Sequence, residues 1–387
     1  MSAKTHVDTL WFTRCAGGRG GGVPTASGIA YKLGYLTEEF KNDDIKLLTL
    51  QEDAGPELQH NHYDHQLPTL IREGGNLFAI PAKAQGAQTR LIGLTWIDEA
   101  QSIIVRPGSD IRSPKDLKGK RLGLPRLRAV DIAENRRGRS ITRYGSLSGY
   151  KGALASAGLS IDDVKLVEIG TPNPEATNGR LYAGWGESLE AVANGEVDAT
   201  YVKGGAAPDG ARRLGLEVGI ALDKLPERRF RVNNGTPRPI TVHEHFLNNH
   251  YDLLVRFLTQ TLRAAEWAKT NLAGVSQILQ EETGASAEGV AAAYRDGFHL
   301  TLAPDLSTER LELFRQQKES LLGYGVLDRD FDFDAWVDFR PLADANRQLQ
   351  EILNADGVVI CWTVDPWLAQ VIANLLEKAN QEGLLTK

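Results

Sequence analysis

Apolar positions follow two rhythms, one of period two or in short continuous runs, the other helical, and the first dominates the front of the chain. Residues Asp8–Arg14 carry the β-branched and aromatic content of a strand that ends beside Cys15. A glycine-rich turn, Ala16–Gly22, and the pair Pro24-Thr25 then open a helix predicted to about Leu36. Ile45–Leu50 reads as a second strand and Gln51–Pro56 as a turn. Arg72 falls in a helix or a turn, because Gly74-Gly75 leaves the assignment open. Asn76–Ala84 is a short apolar segment, followed by strands at Arg90–Trp96 and Gln101–Arg106 with a turn at Asp98–Ala100. Ser113–Pro125 combines one helical turn and a strand; a helix near Ser146–Ala157, a strand at Val164–Ile169, and a helix, turn and strand over Ser188–Tyr201 complete this part. Arg238–His243 is one more strand. From Tyr251 the period becomes helical, with Leu254, Phe257, Leu258, Leu262, Ala265 and Trp267 on one stripe. The remainder is predicted mostly helical, with a turn at Asp330–Trp336 and an amphipathic last helix over roughly Trp367–Glu382.

Strands alternating with helices predict an α/β protein. At 387 residues the expectation is two domains, or one two-lobed domain, each large enough to bury its own core. An apolar fraction of 42% and a charged fraction of 24% are those of an ordinary globular chain. The formal net charge of -6 supplies no general field for nucleic acid or an anionic membrane, and no run approaches a membrane span. Met1–Leu10 lacks a secretory apolar region, so a cytoplasmic location is expected. With only Cys15 and Cys361 present, neither a disulfide framework nor a cysteine-rich zinc site is expected.

The candidate chemistry gathers in His60–Gly75, read together with Cys15. Three histidines, one guanidinium and a glycine pair suit a small organic anion: Arg72 offers a rigid fork of donors and Gly74-Gly75 admits close backbone approach. His60, His62 and Asp64 would share one face of a strand, but no further ligand motif supports a metal, and a non-metal role is the reading favoured. The glycine run after Cys15 has the spacing of neither a dinucleotide fingerprint nor a Walker motif. Arg126, Arg128, Arg136, Arg137, Arg139 and Arg143 concentrate positive charge that reads as a solvated loop, one member of which could meet an anion. His243 and His245 read as solvated side chains.

Two segments, Asp116-Leu-Lys-Gly-Lys-Arg and Gly195-Glu-Val-Asp-Ala, resemble those of type II periplasmic-binding-protein folds, which implies two lobes with a ligand cleft between them, the first comprising 1–110 and 238–387 and the second 111–237. Cys15 after an N-terminal strand, His60 before Tyr63-Asp64, and Arg72-Glu73-Gly74-Gly75 resemble the 2'-hydroxybiphenyl-2-sulfinate desulfinase family of aromatic sulfur removal, over most of residues 8–340. That resemblance implies a cofactor-independent desulfinase. Cys15 would be the catalytic thiol, as proton donor or nucleophile, His60 would tune it and orient Arg72, and Arg72 would hold the sulfinate. Gly74 and Gly75 would complete an oxyanion site, with Thr13 and Asn61 on the substrate side and no metal. Two additional residues separate His60 from Arg72 relative to the family, Asn61 replaces an aromatic residue, and the family's tryptophan has no counterpart around Leu147–Gly149. A smaller or more polar arylsulfinate is therefore expected. The alternatives are a solute-binding protein for sulfonate-like anions and an aromatic decarboxylase on the same fold.

Overall fold

The computed structural model describes residues 7–14, 25–134, 140–170, 185–204, 206–283 and 286–355. Two five-stranded sheets organise them. The first contains β1 (Thr9–Arg14), β2 (Lys46–Thr49), β3 (Leu70–Glu73) and β4 (Thr89–Thr95). The second contains β5 (Gln101–Val105), β6 (Arg121–Pro125), β7 (Lys165–Ile169), β8 (Ala199–Lys203) and β9 (Glu217–Ala221). The chain then returns to the first sheet as β10 (Arg238–His243).

The orders are β2-β1-β3-β10-β4 and β7-β6-β8-β5-β9. In the first sheet β1 runs parallel to β2 and β3, while β10 lies between β3 and β4 and antiparallel to both. In the second, β6 runs parallel to β7 and β8, and β5 is antiparallel to β8 and β9. This two-sheet α/β architecture has the periplasmic-binding-protein form expected from the sequence. Because β5 pairs within the second sheet, the chain crosses between Thr95 and Gln101, some residues before the 110 boundary read from sequence.

Burial explains the sheet positions. β1 contributes Leu10 and Phe12 to the first core, and Phe12 meets Tyr31 and Phe257 at ring-centroid distances of 5.3 and 5.7 Å. Phe257 belongs to the helix Tyr251–Thr270, whose buried stripe includes Leu254, Leu258 and Leu262. Each such side chain contributes about 1.5–3 kcal/mol by leaving water. A smaller core under the second sheet holds Ile103, Leu122, Tyr150 and Tyr201. Leu124, Tyr144 and Leu147, from β6 and the helix Ile141–Ser156, belong instead to the first core, so the two lobes share an apolar contact.

Several segments differ from the sequence expectation. Arg72 lies in a strand, because Leu70 and Ile71 are buried beside β1 and the glycine pair begins only after the ladder ends. The His60–Asp64 stretch is not extended: His60 is the turn residue between the short helices Pro56–Gln59 and Asn61–Asp64. Asn76–Ala84 is a helix despite Pro81. The helix Ala206–Arg213 and strand β9 had no expectation, and the predicted helix over Trp367–Glu382 lies outside the described residues. None of the described helices is long and apolar enough to cross a membrane.

Candidate active site

Strand alternation divides the end of β3 into two chemical faces. Thr13, Arg72 and Thr241 are partners across β1, β3 and β10 and therefore project to one side. Glu73 projects to the other.

On the first face the Arg72 side chain, 1% exposed, is held by backbone oxygens. Its Nε donates to the His62 carbonyl at 2.8 Å and its Nη2 to the Gly75 carbonyl at 3.1 Å. Carbonyl partners fix the guanidinium plane, and a guanidinium so oriented can direct charge-assisted hydrogen bonds at an anion. A Cβ on Gly74 would lie 2.8 Å from Arg72 Nη2 and 3.0 Å from His62 Cε1, so only glycine admits both groups here.

The His62 ring is enclosed by Tyr63 and Phe78, at centroid distances of 5.4 and 5.3 Å. Its Nδ1 lies 3.3 Å from Thr13 Oγ1, and that oxygen accepts a hydrogen bond from Gln51 Nε2 at 2.9 Å. The threonine hydroxyl keeps its own proton to donate to Nδ1, and in that arrangement the His62 proton sits on Nε2. Burial first, then the positive charges of Arg72 and Arg238 and the neighbouring His65, hold the His62 pKa well below the usual imidazole value. The ring is neutral at pH 7, and in the tautomer that accepts from Thr13 it offers Nε2–H as a donor.

The other nearby histidine is structural. His65 is buried, with Nε2 3.1 Å from the Leu70 carbonyl and Nδ1 3.2 Å from Thr241 Oγ1. Burial, with the Arg72 charge next, lowers its pKa to about 3.

On the opposite face Glu73 is 2% exposed. Ser27 Oγ donates to it at 2.5 Å and Thr95 Oγ1 at 3.0 Å. Burial raises its pKa, against the Ser27 and Thr95 hydrogen bonds and the Arg238 charge, because two hydroxyls replace bulk water poorly as solvent for a carboxylate. Ser27 lies in the first turn of the helix Ala26–Lys32, which is capped by Thr25 through Gly28 N at 3.0 Å.

The turn Asn233–Thr236 closes over the start of the helix Asn76–Ala84. Asn76 N donates to the Asn234 carbonyl at 2.8 Å and Leu77 N to Asn234 Oδ1 at 3.1 Å. Asn76 Nδ2 bonds the carbonyls of Asn233 and Pro237 at 2.6 and 2.9 Å. The helix start is thus capped from within the protein, and the Gly75 N–H is the donor left without an acceptor among the described residues. Gly74 N–H is spent on the Pro239 carbonyl at 3.3 Å.

The structure redistributes the roles read from sequence. Arg72, Gly75 and Thr13 come together. Gly74 belongs there by its lack of a side chain and not as an oxyanion donor. His60 is exposed, and the histidine bonded to Thr13 and Arg72 is His62; the two additional residues before Arg72 put His62 in the register first given to His60. Asn61 is engaged within its own loop: its Oδ1 accepts from Leu67 N at 2.6 Å and its Nδ2 donates to the Leu58 carbonyl at 3.1 Å. Cys15 lies outside the described residues, as does the glycine run Ala16–Gly22.

Of the arginine concentration, Arg126 and Arg143 pair with Glu168 at 3.6 and 2.8 Å and Arg128 with Asp131 at 3.2 Å, while Arg136, Arg137 and Arg139 lie outside the described residues. Glu73, Arg238 and the Asn233-Asn234-Gly235 turn were missed. Their available signals were polar residues at the ends of apolar strands and an Asn-Asn-Gly-Thr-Pro turn sequence. Among the described residues no group of three or more His, Cys, Asp or Glu side chains could hold a metal.

With this geometry in view, the chain matches the family description "NMT1/THI5 like" over residues 73–271, just over half its length. It belongs to the NMT1/THI5-like family. It is also 25% identical over 363 residues to 2'-hydroxybiphenyl-2-sulfinate desulfinase of Rhodococcus erythropolis, covering 85% of this chain and 91% of that one. Among solved structures, a cysteine-to-serine variant of the enzyme DSZB in complex with biphenyl-2-sulfinic acid aligns with a TM-score of 0.65 and 21% identity, over 88% of this chain and 99% of that one. A putative periplasmic sulfonate-binding protein, SsuA of Methylobacillus flagellatus, aligns with a TM-score of 0.66 and 15% identity, over 93% and 98%. These structural likenesses establish the NMT1/THI5-like chain as a member of the periplasmic-binding-protein fold. The expected resemblance to the desulfinase is borne out across most of the sequence.

Proposed function

We propose that this chain is a cofactor-independent desulfinase that cleaves the carbon–sulfur bond of an arylsulfinate. The observation that carries this reading is the Arg72 guanidinium, buried and aligned by the His62 and Gly75 carbonyls, with the Gly75 N–H beside it and a neutral imidazole next to it. Arg72 holds the sulfinate oxygens through charge-assisted hydrogen bonds and the Gly75 N–H adds a donor. His62, as the Nε2–H tautomer, supplies a neutral donor and takes the role first assigned to His60.

Cys15 is the proposed acid. Its thiol proton moves to the ipso carbon as the carbon–sulfur bond breaks, and the bonding pair becomes the new carbon–hydrogen bond. Sulfur leaves as sulfur dioxide, which adds water to give hydrogensulfite and a proton, and the proton returns to the thiolate. The shared apolar contact at Leu124, Tyr144 and Leu147 offers a wall for the aryl group. Leu147 stands in the segment where the family uses tryptophan, and a smaller side chain there alters the ring surface.

A second reading, a receptor for sulfonate-like anions, is favoured by the fold shared with sulfonate-binding proteins. One experiment separates them: sulfite release from a panel of arylsulfinates by wild type and Cys15→Ser. Release that vanishes in the variant supports the desulfinase. Sulfonate binding without sulfite from any sulfinate supports the receptor, and full activity of the variant removes Cys15 from the mechanism.

A further inference from the structure

Beyond the residues that face the anion position, one buried amide ties that position to the ring wall. Asn76 is fully buried, and both hydrogens of its Nδ2 go to the Asn233 and Pro237 carbonyls, so its Oδ1 requires a donor. Gln317 Nε2 supplies one at 3.1 Å. Gln317 is 1% exposed and lies on the helix Thr308–Gly323, which places Phe314 and Leu321 in the first core and whose Arg310 Nη1 donates to the Leu94 carbonyl at 2.7 Å. The donor is therefore anchored to the first sheet.

What Asn76 holds is part of the anion site. The peptide group between Gly75 and Asn76 is gripped at both ends, its carbonyl by Arg72 Nη2 at 3.1 Å and its N–H by the Asn234 carbonyl at 2.8 Å. Asn234 in turn belongs to the turn that the Asn76 side chain fastens. Without the Gln317 donor the Asn76 oxygen is buried and unpaired, and rotating the amide to relieve it breaks the two carbonyl bonds. A shift there displaces the peptide that orients Arg72.

Gln317 also faces the second lobe. Its Oε1 lies 3.4 Å from Ser148 Oγ, a hydroxyl whose shorter bond, 2.9 Å, goes to the Tyr144 carbonyl. Three residues further along both helices, Lys151 Nζ donates to Ser320 Oγ at 2.6 Å. Ser148 and Lys151 belong to the helix Ile141–Ser156, which carries Tyr144 and Leu147 of the ring wall. The helix bearing Gln317 is thus fastened on one side to the peptide beside Arg72 and on the other to the wall.

We propose that Gln317 is a positioning residue: it keeps the Gly75–Asn76 peptide, and with it Arg72, aligned with the wall on Ile141–Ser156, so that one ligand can engage both at once. The proposal rests on the anion site of the desulfinase reading and not on its reaction. An anion without a ring can follow a displaced peptide. An anion bearing a ring cannot follow it and keep the wall.

The test uses inert sulfonates, so that binding is read without turnover. Affinities of methanesulfonate and benzenesulfonate are measured by calorimetry for wild type, Gln317→Met and Ser148→Ala. Wild type is expected to bind benzenesulfonate at least about 10-fold more tightly, from burial of the ring. In Gln317→Met that advantage falls about 5-fold, the worth of one hydrogen bond, while methanesulfonate stays within about 2-fold of wild type. Ser148→Ala, which keeps the Asn76 bond, loses about 2-fold of the advantage in the same sense. A wild type without preference for the ring overturns the proposal. So does an unchanged advantage in Gln317→Met, or equal weakening of both sulfonates, which would make the residue a general support of the fold. Should Gln317→Met fail to fold, an unchanged advantage in Ser148→Ala overturns it. Sulfite release from benzenesulfinate tests the reaction separately. The affinity pattern with no sulfite released refutes the desulfinase and keeps the role of Gln317, and release without the pattern does the reverse.

Discussion

The facing rims of the two sheets handle charge in opposite ways. On the second sheet, arginines are numerous and paired near the surface: Arg121 with Asp198 at 2.8 Å, Arg112 with Glu217 at 2.6 Å, and Arg126 and Arg143 with Glu168. Such pairs are screened by water and contribute roughly 0–1 kcal/mol each. On the first sheet Arg72 is a single guanidinium in an apolar strand, oriented by carbonyls and flanked by a neutral histidine. Density of basic residues therefore misdirects the search for an anion site. Burial of a guanidinium whose plane is fixed by backbone oxygens is the better guide. The cavity of about 700 Å³ lined by Arg228, Arg229 and Arg231 makes the same point, since Glu309, Glu227 and Asp98 pair with them.

The contrast can be broken most forcefully at Arg72. Arg72→Lys should lower kcat/KM for sulfite release at least about 100-fold, because an ammonium cannot reproduce two directed bonds to carbonyls and still present a planar fork. Activity within a few-fold of wild type would show that the buried guanidinium is a packing feature. The next effect separates the two histidines. His62→Ala should cost about 10–100-fold in kcat/KM, while His60→Ala, at an exposed position, should stay within about 3-fold. The reverse ranking would return the role to His60.

A third test concerns stability. The His65 pKa of about 3 in the fold lies below its ordinary 6.5, so the unfolded chain binds a proton first as the pH falls. The contribution is complete above pH 6.5 and is lost as the pH declines from 6.5 towards 3. The slope is on the order of 1.4 kcal/mol per pH unit. His65→Asn, which tolerates the positive φ of 51° at this position, should flatten that slope in urea titrations at pH 4–6.5. An unchanged slope would assign the acid sensitivity to other groups. The smallest effect is expected on the second rim: Arg143→Ala should change stability by under about 1 kcal/mol and kcat/KM by under about 2-fold. A large loss of activity there would erase the distinction between the rims.

Much of the fold was legible because its cores use plain signals. The apolar content of Leu10 and Phe12 and the helical stripe through Leu254, Phe257 and Leu258 each state their burial directly. Arg72 was assigned to the site but not to a strand, since the glycine pair after it resembles a turn and the four-residue strand is too short for a period to develop. His60 and His62 could not be ranked from spacing, because the phase of a helical turn decides which ring faces Thr13. Asn61 looked available for a substrate because its partners, Leu58 and Leu67, are backbone groups that carry no side-chain signature. Glu99, Lys203 and Arg238, which surround Gly235, are distant in sequence, and only the crossing of the chain between sheets brings them together.

The place of β10 has a consequence for how the molecule is made. This strand is synthesised after the whole second sheet, yet it fills the gap between β3 and β4 in the first. Until residue 243 has left the ribosome, both of those strands keep an unpaired edge facing the gap. The second sheet can pair first, because all five of its strands lie between residues 101 and 221. The lobe bearing Arg72 is therefore the later one to close, although its first strand emerges earliest, and a nascent chain cut before Arg238 would expose a sheet edge rather than a finished domain.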